Sequence, residues 1–134
     1  LSSRIDVELG IEYRIADTPS GTEFGVEIDR SFRDLVYNAE FQFNLPGKWT
    51  LDTGAKLTQR DYDSDVAADA THYRRGDTKW ALTADAGHAL SKDWTLNLAA
   101  GVERNSSDRQ ILGTGSDEVE YRNFELAAGV EYRF

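Results

Sequence analysis

The chain has 134 residues, the size of a single domain, and no composition shift or linker divides residues 1–134. It contains no cysteine, which excludes disulfides, thiolate metal sites and thiol catalysis. Its 15 Lys and Arg stand against 24 Asp and Glu, a formal net charge of -9, which argues against nucleic acid as a partner.

No apolar run reaches the roughly 18 residues that a membrane-spanning helix needs. The mean hydropathy of -0.57 is that of a polar chain. It does not exclude a membrane barrel, because half of each barrel strand faces a polar interior. The chain opens Leu1-Ser2-Ser3-Arg4 without methionine, as a trimmed product would, on the assumption of a removed signal peptide.

Apolar and polar residues alternate through about seven segments, and a period of two means a strand with different surroundings on its two faces. In chain order, one apolar row runs through Ile5, Val7, Leu9, Ile11, Tyr13 and Ile15. A second runs through Phe24, Val26, Ile28 and Phe32, interrupted by Arg30. Leu35 to Leu45 and Trp49 to Leu57 form the third and fourth, Trp80 to Leu90 and Trp94 to Val102 the fifth and sixth, and Phe124 to Phe134 the last. These runs exceed the about 5 or 6 residues of an ordinary strand and suit the about 9 to 11 of a tilted membrane strand.

Short connections are expected at residues 16–21, at Pro46-Gly47-Lys48 and at Ser91-Lys92-Asp93, and long polar ones at residues 62–76 and 105–117. Short turns at one rim and long loops at the other are the outer-membrane arrangement, although residues 31–34 form a short connection on the long-loop side. An odd strand number would put Leu1 at the rim opposite Phe134. That points to a missed strand, a part of a larger barrel, or a barrel shared between chains.

The polar faces carry Glu8 and Glu12, Glu27, Glu40, Asp52 with Lys56 and Arg60, Lys79 with Asp85, Glu103, and Glu125 with Glu131. In a soluble barrel such a face meets water; in a membrane barrel it lines the lumen. Three features favour the lumen. Gly10, Gly25, Gly54, Gly87, Gly101 and Gly129 lie on the polar face, where they make room for long charged neighbours. Trp49, Trp80, Trp94, Tyr132 and Phe134 lie towards strand ends on the apolar face, as a membrane girdle does. Alanines between them fill a soluble core poorly but cost little against lipid.

The expected fold is therefore all-β, an antiparallel transmembrane β-barrel of about seven or eight strands, alone or as part of a larger or shared barrel. The expected role is structural, scaffolding or transport, with an acidic lumen that favours cations if open. Two alternatives stand beside it: a soluble up-and-down barrel binding a small apolar ligand, and an outer-membrane lipid hydrolase.

The ending Gly129-Val130-Glu131-Tyr132-Arg133-Phe134 resembles the C-terminal assembly signal of outer-membrane barrel proteins, with Gly129, Tyr132 and Phe134 on its motif positions and Ala127 departing from it. The resemblance implies an outer-membrane location and handling by the outer-membrane insertion machinery. Outer-membrane lipid and lipopolysaccharide would be partners, with other barrel segments or protein subunits. Residues 104–134 also resemble the closing hairpin of larger outer-membrane barrels.

No catalytic or metal-binding group emerges, and no cofactor is expected. Asp61, Asp63, Asp65 and Asp69 begin like a calcium loop, but Val66 and His72 stand where its glycine and terminal glutamate belong, so a solvated acidic loop is expected. His72 and His88 form no metal pair and are read as interfacial or solvated, and Arg74 and Arg75 as a solvated rim. No motif joins a serine, a histidine and an acid, so a non-enzymatic protein is expected.

Overall fold

The computed structural model describes residues 4–18, 20–23, 25–69, 72–111 and 115–134, with the backbone alone for 109–111 and 115–119. The period-two rows become strands: β1 (Arg4–Ala16), β2 (Gly21–Glu23), β3 (Val26–Ile28), β4 (Phe32–Leu45), β5 (Trp49–Tyr62), β6 (Gly76–Ala89), β7 (Trp94–Ile111) and β8 (Gly115–Tyr132). Six of them form one antiparallel sheet in the order β1-β4-β5-β6-β7-β8, and β2 and β3 form a separate hairpin.

The sheet is open. β1 and β8 are its two edges, and no ladder joins them among the described residues. This overturns the expected closed barrel and every reading that rested on closure. A sheet that spans lipid must close to satisfy its edge groups, so the transmembrane, porin-like and outer-membrane readings fall with the barrel. The ligand-binding barrel falls as well, because the sheet encloses no interior. The physical reason for the error is specific: alternation fixes that a strand has two faces, whereas closure depends on strand tilt and stagger, which alternation does not encode.

The expected second long strand is also corrected. Phe24 lies outside the described residues, and the flanking chain folds back as β2 and β3 around Gly25, whose φ of 81° suits glycine. Ser31 N–H donates to Asp29 Oδ1 at 2.9 Å, turning the chain before Phe32 opens β4. β1 therefore pairs directly with β4, with Arg4 opposite Asn44, while Trp94 lies opposite Tyr132. The start of β1 and the end of β8 share one end of the sheet, which resolves the odd count.

The expected long loop at residues 105–117 is instead the far end of a hairpin, since β7 runs to Ile111 and β8 starts at Gly115. Tyr121 Oη donates to Glu103 at 2.8 Å, and Arg104 pairs with Glu120, so polar bonds extend the ladder beyond the apolar alternation. Residues 63–69 and 72–75 lie in a loop, and Pro46-Gly47-Lys48 is a turn in which Gly47 has a φ of 76°.

The two faces are buried in the opposite sense to a water-soluble sheet. Val36, the one hydrophobic residue among those described that is buried, lies on the polar face, with 3% of its surface exposed. Asp34, Asn105 and Ser107 are buried on that face too, while Leu9, Ile11, Leu82, Leu98, Phe124 and Leu126 stand exposed on the other.

Candidate functional site

Most of the buried polar chemistry lies at one end of the sheet, where β4 begins, β5 ends and β6 begins. Asp34 and Arg60 are register partners, and Arg60 makes a two-pronged ion pair with Asp34, Nε to Oδ1 at 2.7 Å and Nη2 to Oδ2 at 2.9 Å. The guanidinium also lies 3.7 Å from the centre of the Phe32 ring. The hydrogen bond to Asp34, more than any other influence, holds Arg60 well above its ordinary pKa, so it stays charged.

The loop that follows β5 folds onto this pair. Asp63 N–H donates to Ser31 O at 2.9 Å, and Tyr62 N–H to Arg75 O at 3.0 Å. Arg33 Nε donates to Asp63 Oδ1 at 2.8 Å. Arg75 grips Asp77 at 2.7 and 2.8 Å and donates to Ser107 Oγ at 3.2 Å. Asp69, buried, receives the His72 backbone N–H at 3.1 Å and lies 3.1 Å from His72 Nδ1, while Ser64 Oγ donates to it at 3.4 Å. His72 packs against the Tyr62 ring at 5.2 Å.

From the sequence, Asp69 is expected in a solvated acidic loop, His72 in an interfacial or solvated place, and Arg75 on a solvated rim. They are instead partly or wholly buried and tie the loop down. The signal for this was slight, because an acid three residues before a histidine is common in exposed loops.

The residues expected to line a lumen lie on the polar face of the open sheet, except Glu27, which sits in the β2–β3 hairpin. One row runs Glu8, Glu40, Gly54, Thr83, Gly101 and Glu125 across the six strands. Gly54 is needed here, because a Cβ at that position would lie 2.7 Å from Thr83 Oγ1. Glu8, Glu40, Asp52 and Asp85 line a shallow cavity of about 580 Å³, with Glu8 opposite Glu40 and Asp52 opposite Asp85. Lys56 lies opposite Asn38 and Ala81. Glu12 bonds to Arg14 and Glu131 to Arg133, each two residues along its own strand, and Glu125 accepts from Asn123.

Lys79 Nζ reaches Glu103 at 2.8 Å between neighbouring strands. That bond first, and Tyr121 second, hold the Glu103 carboxyl below its ordinary value, and the same bond raises Lys79. Stability from Glu103 is complete above the ordinary carboxylate pKa of about 4.3 and is lost as pH falls through the lowered value. Stability from Lys79 is complete below about pH 10.4 and is lost above it. Glu103→Gln is expected to lower the thermal midpoint at neutral pH, with the gap to wild type closing below about pH 4. Midpoints measured across that range check it.

The residues expected to form a membrane girdle are exposed or half-exposed aromatics of the open sheet. Trp49 stacks on His88 at 4.4 Å, Trp94 packs on Tyr132 at 4.7 Å, and Tyr132 meets Phe134 at 5.0 Å, all at the short-turn end. Trp80 lies towards the other end, opposite Leu57 and Arg104. His88 Nδ1 is buried without a hydrogen-bond partner among the described residues. Gly129, with Tyr132 and Phe134, belongs to the edge strand or its end. Among the described residues, no three His, Cys, Asp or Glu side chains are grouped to hold a metal ion, and no helix is long and apolar enough to cross a membrane.

These observations define an all-β domain built on an open antiparallel sheet, with an ion-paired polar end and an uncovered apolar face. Residues 8–134 match the family described as "Putative MetA-pathway of phenol degradation", and the chain belongs to that family. This replaces the recognition drawn from the C-terminal hexapeptide, whose aromatic spacing is also what an alternating edge strand ending in Phe134 produces. No match to the chain is found among curated proteins, and none among solved structures.

Proposed function

We propose that the chain is a non-enzymatic sheet module that works by associating with protein subunits, in an accessory part of the phenol degradation for which its family is described. The observation that carries this reading is the uncovered apolar face. Contiguous exposed apolar patches beyond a few hundred Å² are rare on free-standing proteins and mark interaction surfaces. Covering this face gains roughly 25 cal/mol for each Å² of apolar surface removed from water.

The polar end supports a structural role. His72 is engaged with Asp69, and Ser64 donates to that same carboxylate rather than to the imidazole. A serine nucleophile needs the opposite arrangement, with its hydroxyl held by the base.

Sedimentation velocity over a dilution series tests the reading. The wild-type chain sediments as more than one chain at micromolar concentration. Leu9→Glu combined with Ile11→Glu, which places charge on the apolar face, weakens that association at least tenfold. A wild-type chain that stays single at every concentration while unfolding cooperatively contradicts the reading. So does phenol turnover by the purified chain that is lost on His72→Ala.

A further inference from the structure

Resting on the reading that the module works by association, we propose that β1 is the seam of a symmetric dimer, formed by antiparallel addition of the β1 strand of a second copy. The two edges of the sheet differ in kind. The β8 row on the apolar face contains Glu120 and Arg122 before Phe124, and charges on an edge discourage strand addition. The β1 row Ile5, Val7, Leu9, Ile11, Tyr13, Ile15 contains no charge, proline or glycine. Its members are exposed, from 55% at Val7 to 74% at Ile11. Isoleucine, valine and tyrosine are strong strand formers, so nothing in this row blunts the edge.

The partner is a second copy because β1 is complementary to itself in one register. A two-fold axis perpendicular to the sheet makes the added strand antiparallel and keeps apolar side chains on one side. Centring the axis on Ile11 sets Leu9 against Tyr13 and Val7 against Ile15. On the other face it sets Glu8 against Arg14 twice, and Glu12 against Gly10, which leaves the glutamates room. Centres on Glu8, Leu9, Gly10 and Glu12 each oppose like charges, which is destabilising in directly facing pairs. Centring on Gly10 faces Glu8 with Glu12; on Glu12 it faces that residue with its own copy. Centring on Leu9 faces Arg4 with Arg14 and Asp6 with Glu12, and on Glu8 it again faces a glutamate with itself. A centre on Tyr13 also avoids like charges and faces Glu12 with Arg14, but it sets Leu9 against Asp17 and pairs only residues 10–16 of β1, whereas the Ile11 centre pairs residues 6–16, so charge and length of pairing together select Ile11. In the single chain, Arg14 bonds to Glu12 but remains half-exposed, free to turn towards Glu8 of a second copy.

Charge reversal tests the seam by sedimentation equilibrium. Glu8→Arg alone, or Arg14→Glu alone, is expected to weaken the dimer about tenfold, because each places two like-charged pairs across the axis. The double variant E8R/R14E restores wild-type affinity, as does mixing the two single variants. Since the chain has no native cysteine, Ile11→Cys gives a clean second readout. Facing strand residues lie within disulfide reach, so mild oxidation links I11C chains into dimers, whereas I5C chains stay unlinked. Chains that associate as strongly with E8R as without it, and that do not cross-link at I11C, overturn the β1 seam while leaving association itself intact. A chain that is single at all concentrations overturns both.

Discussion

Arg60→Met is expected to destabilise the protein by about 3 kcal/mol, the largest effect of a single side chain at the polar end. Asp34, 2% exposed, would be left as a buried carboxylate without its two-pronged partner. Arg14, opposite Asp34 on the other flank, is an exposed cation and compensates only in part. The contact of the guanidinium with the Phe32 ring is lost as well. The cost comes from orphaning a charge, not from the net worth of the pair. Asp34→Leu combined with Arg60→Met is therefore expected to return within about 1 kcal/mol of wild type. Urea unfolding at one fixed protein concentration checks both values, because association shifts apparent stability. A double variant as unstable as Arg60→Met would contradict the ion-pair account.

Asp69→Ala is expected to cost about 2 kcal/mol, concentrated in the loop at residues 63–75. The buried carboxylate accepts the His72 backbone N–H, meets its ring nitrogen and receives the Ser64 hydroxyl. Removing it leaves these groups without their shared acceptor. Hydrogen exchange is the discriminating measurement. The Tyr73 amide, which bonds to Asp69 O, and the Arg75 amide, which bonds to His72 O, should lose protection while the centres of β5 and β6 keep theirs. Equal loss across the sheet would mean that Asp69 supports the whole fold instead of one loop.

The strands themselves were legible in the sequence. The rows from Ile5 to Ile15 and from Trp94 to Val102 lie on strands of the main sheet because alternation states the geometry of a strand directly. The turn at Pro46-Gly47-Lys48 and the loop after Tyr62 were equally plain. The extension of β7 and β8 beyond Arg104 was not, because its bonds join polar side chains on both faces and leave no alternating signature. The β2–β3 hairpin was hidden for a related reason: Val26 and Ile28 continue an apolar rhythm across a glycine turn.

Closure was the largest misreading. Gly10, Gly54 and Gly87 answer to crowding by side chains of the neighbouring strand, which an open sheet imposes as much as a closed one, whereas a Cβ at Gly25 or Gly129 would meet nothing within 4 Å. The aromatic ends likewise pack on one another, as Trp94, Tyr132 and Phe134 do. The pairing of Arg60 with Asp34 across strands was partly foreseeable, since Arg60 sat on a polar face rich in acids. The burial of Asp69 was not, because it depends on how the loop returns over β4.

The open sheet is tested most directly by the distance between its edges. Leu9→Cys and Phe124→Cys place one label on β1 and one on β8, in a chain without native cysteine. Spin labels on these sites, with labelled chains diluted into unlabelled ones, report the separation within a single chain. An open sheet predicts a distance well beyond about 10 Å, twice the spacing of hydrogen-bonded strands. A separation of one strand spacing, or an efficient disulfide within one chain, would show the edges joined and contradict the account.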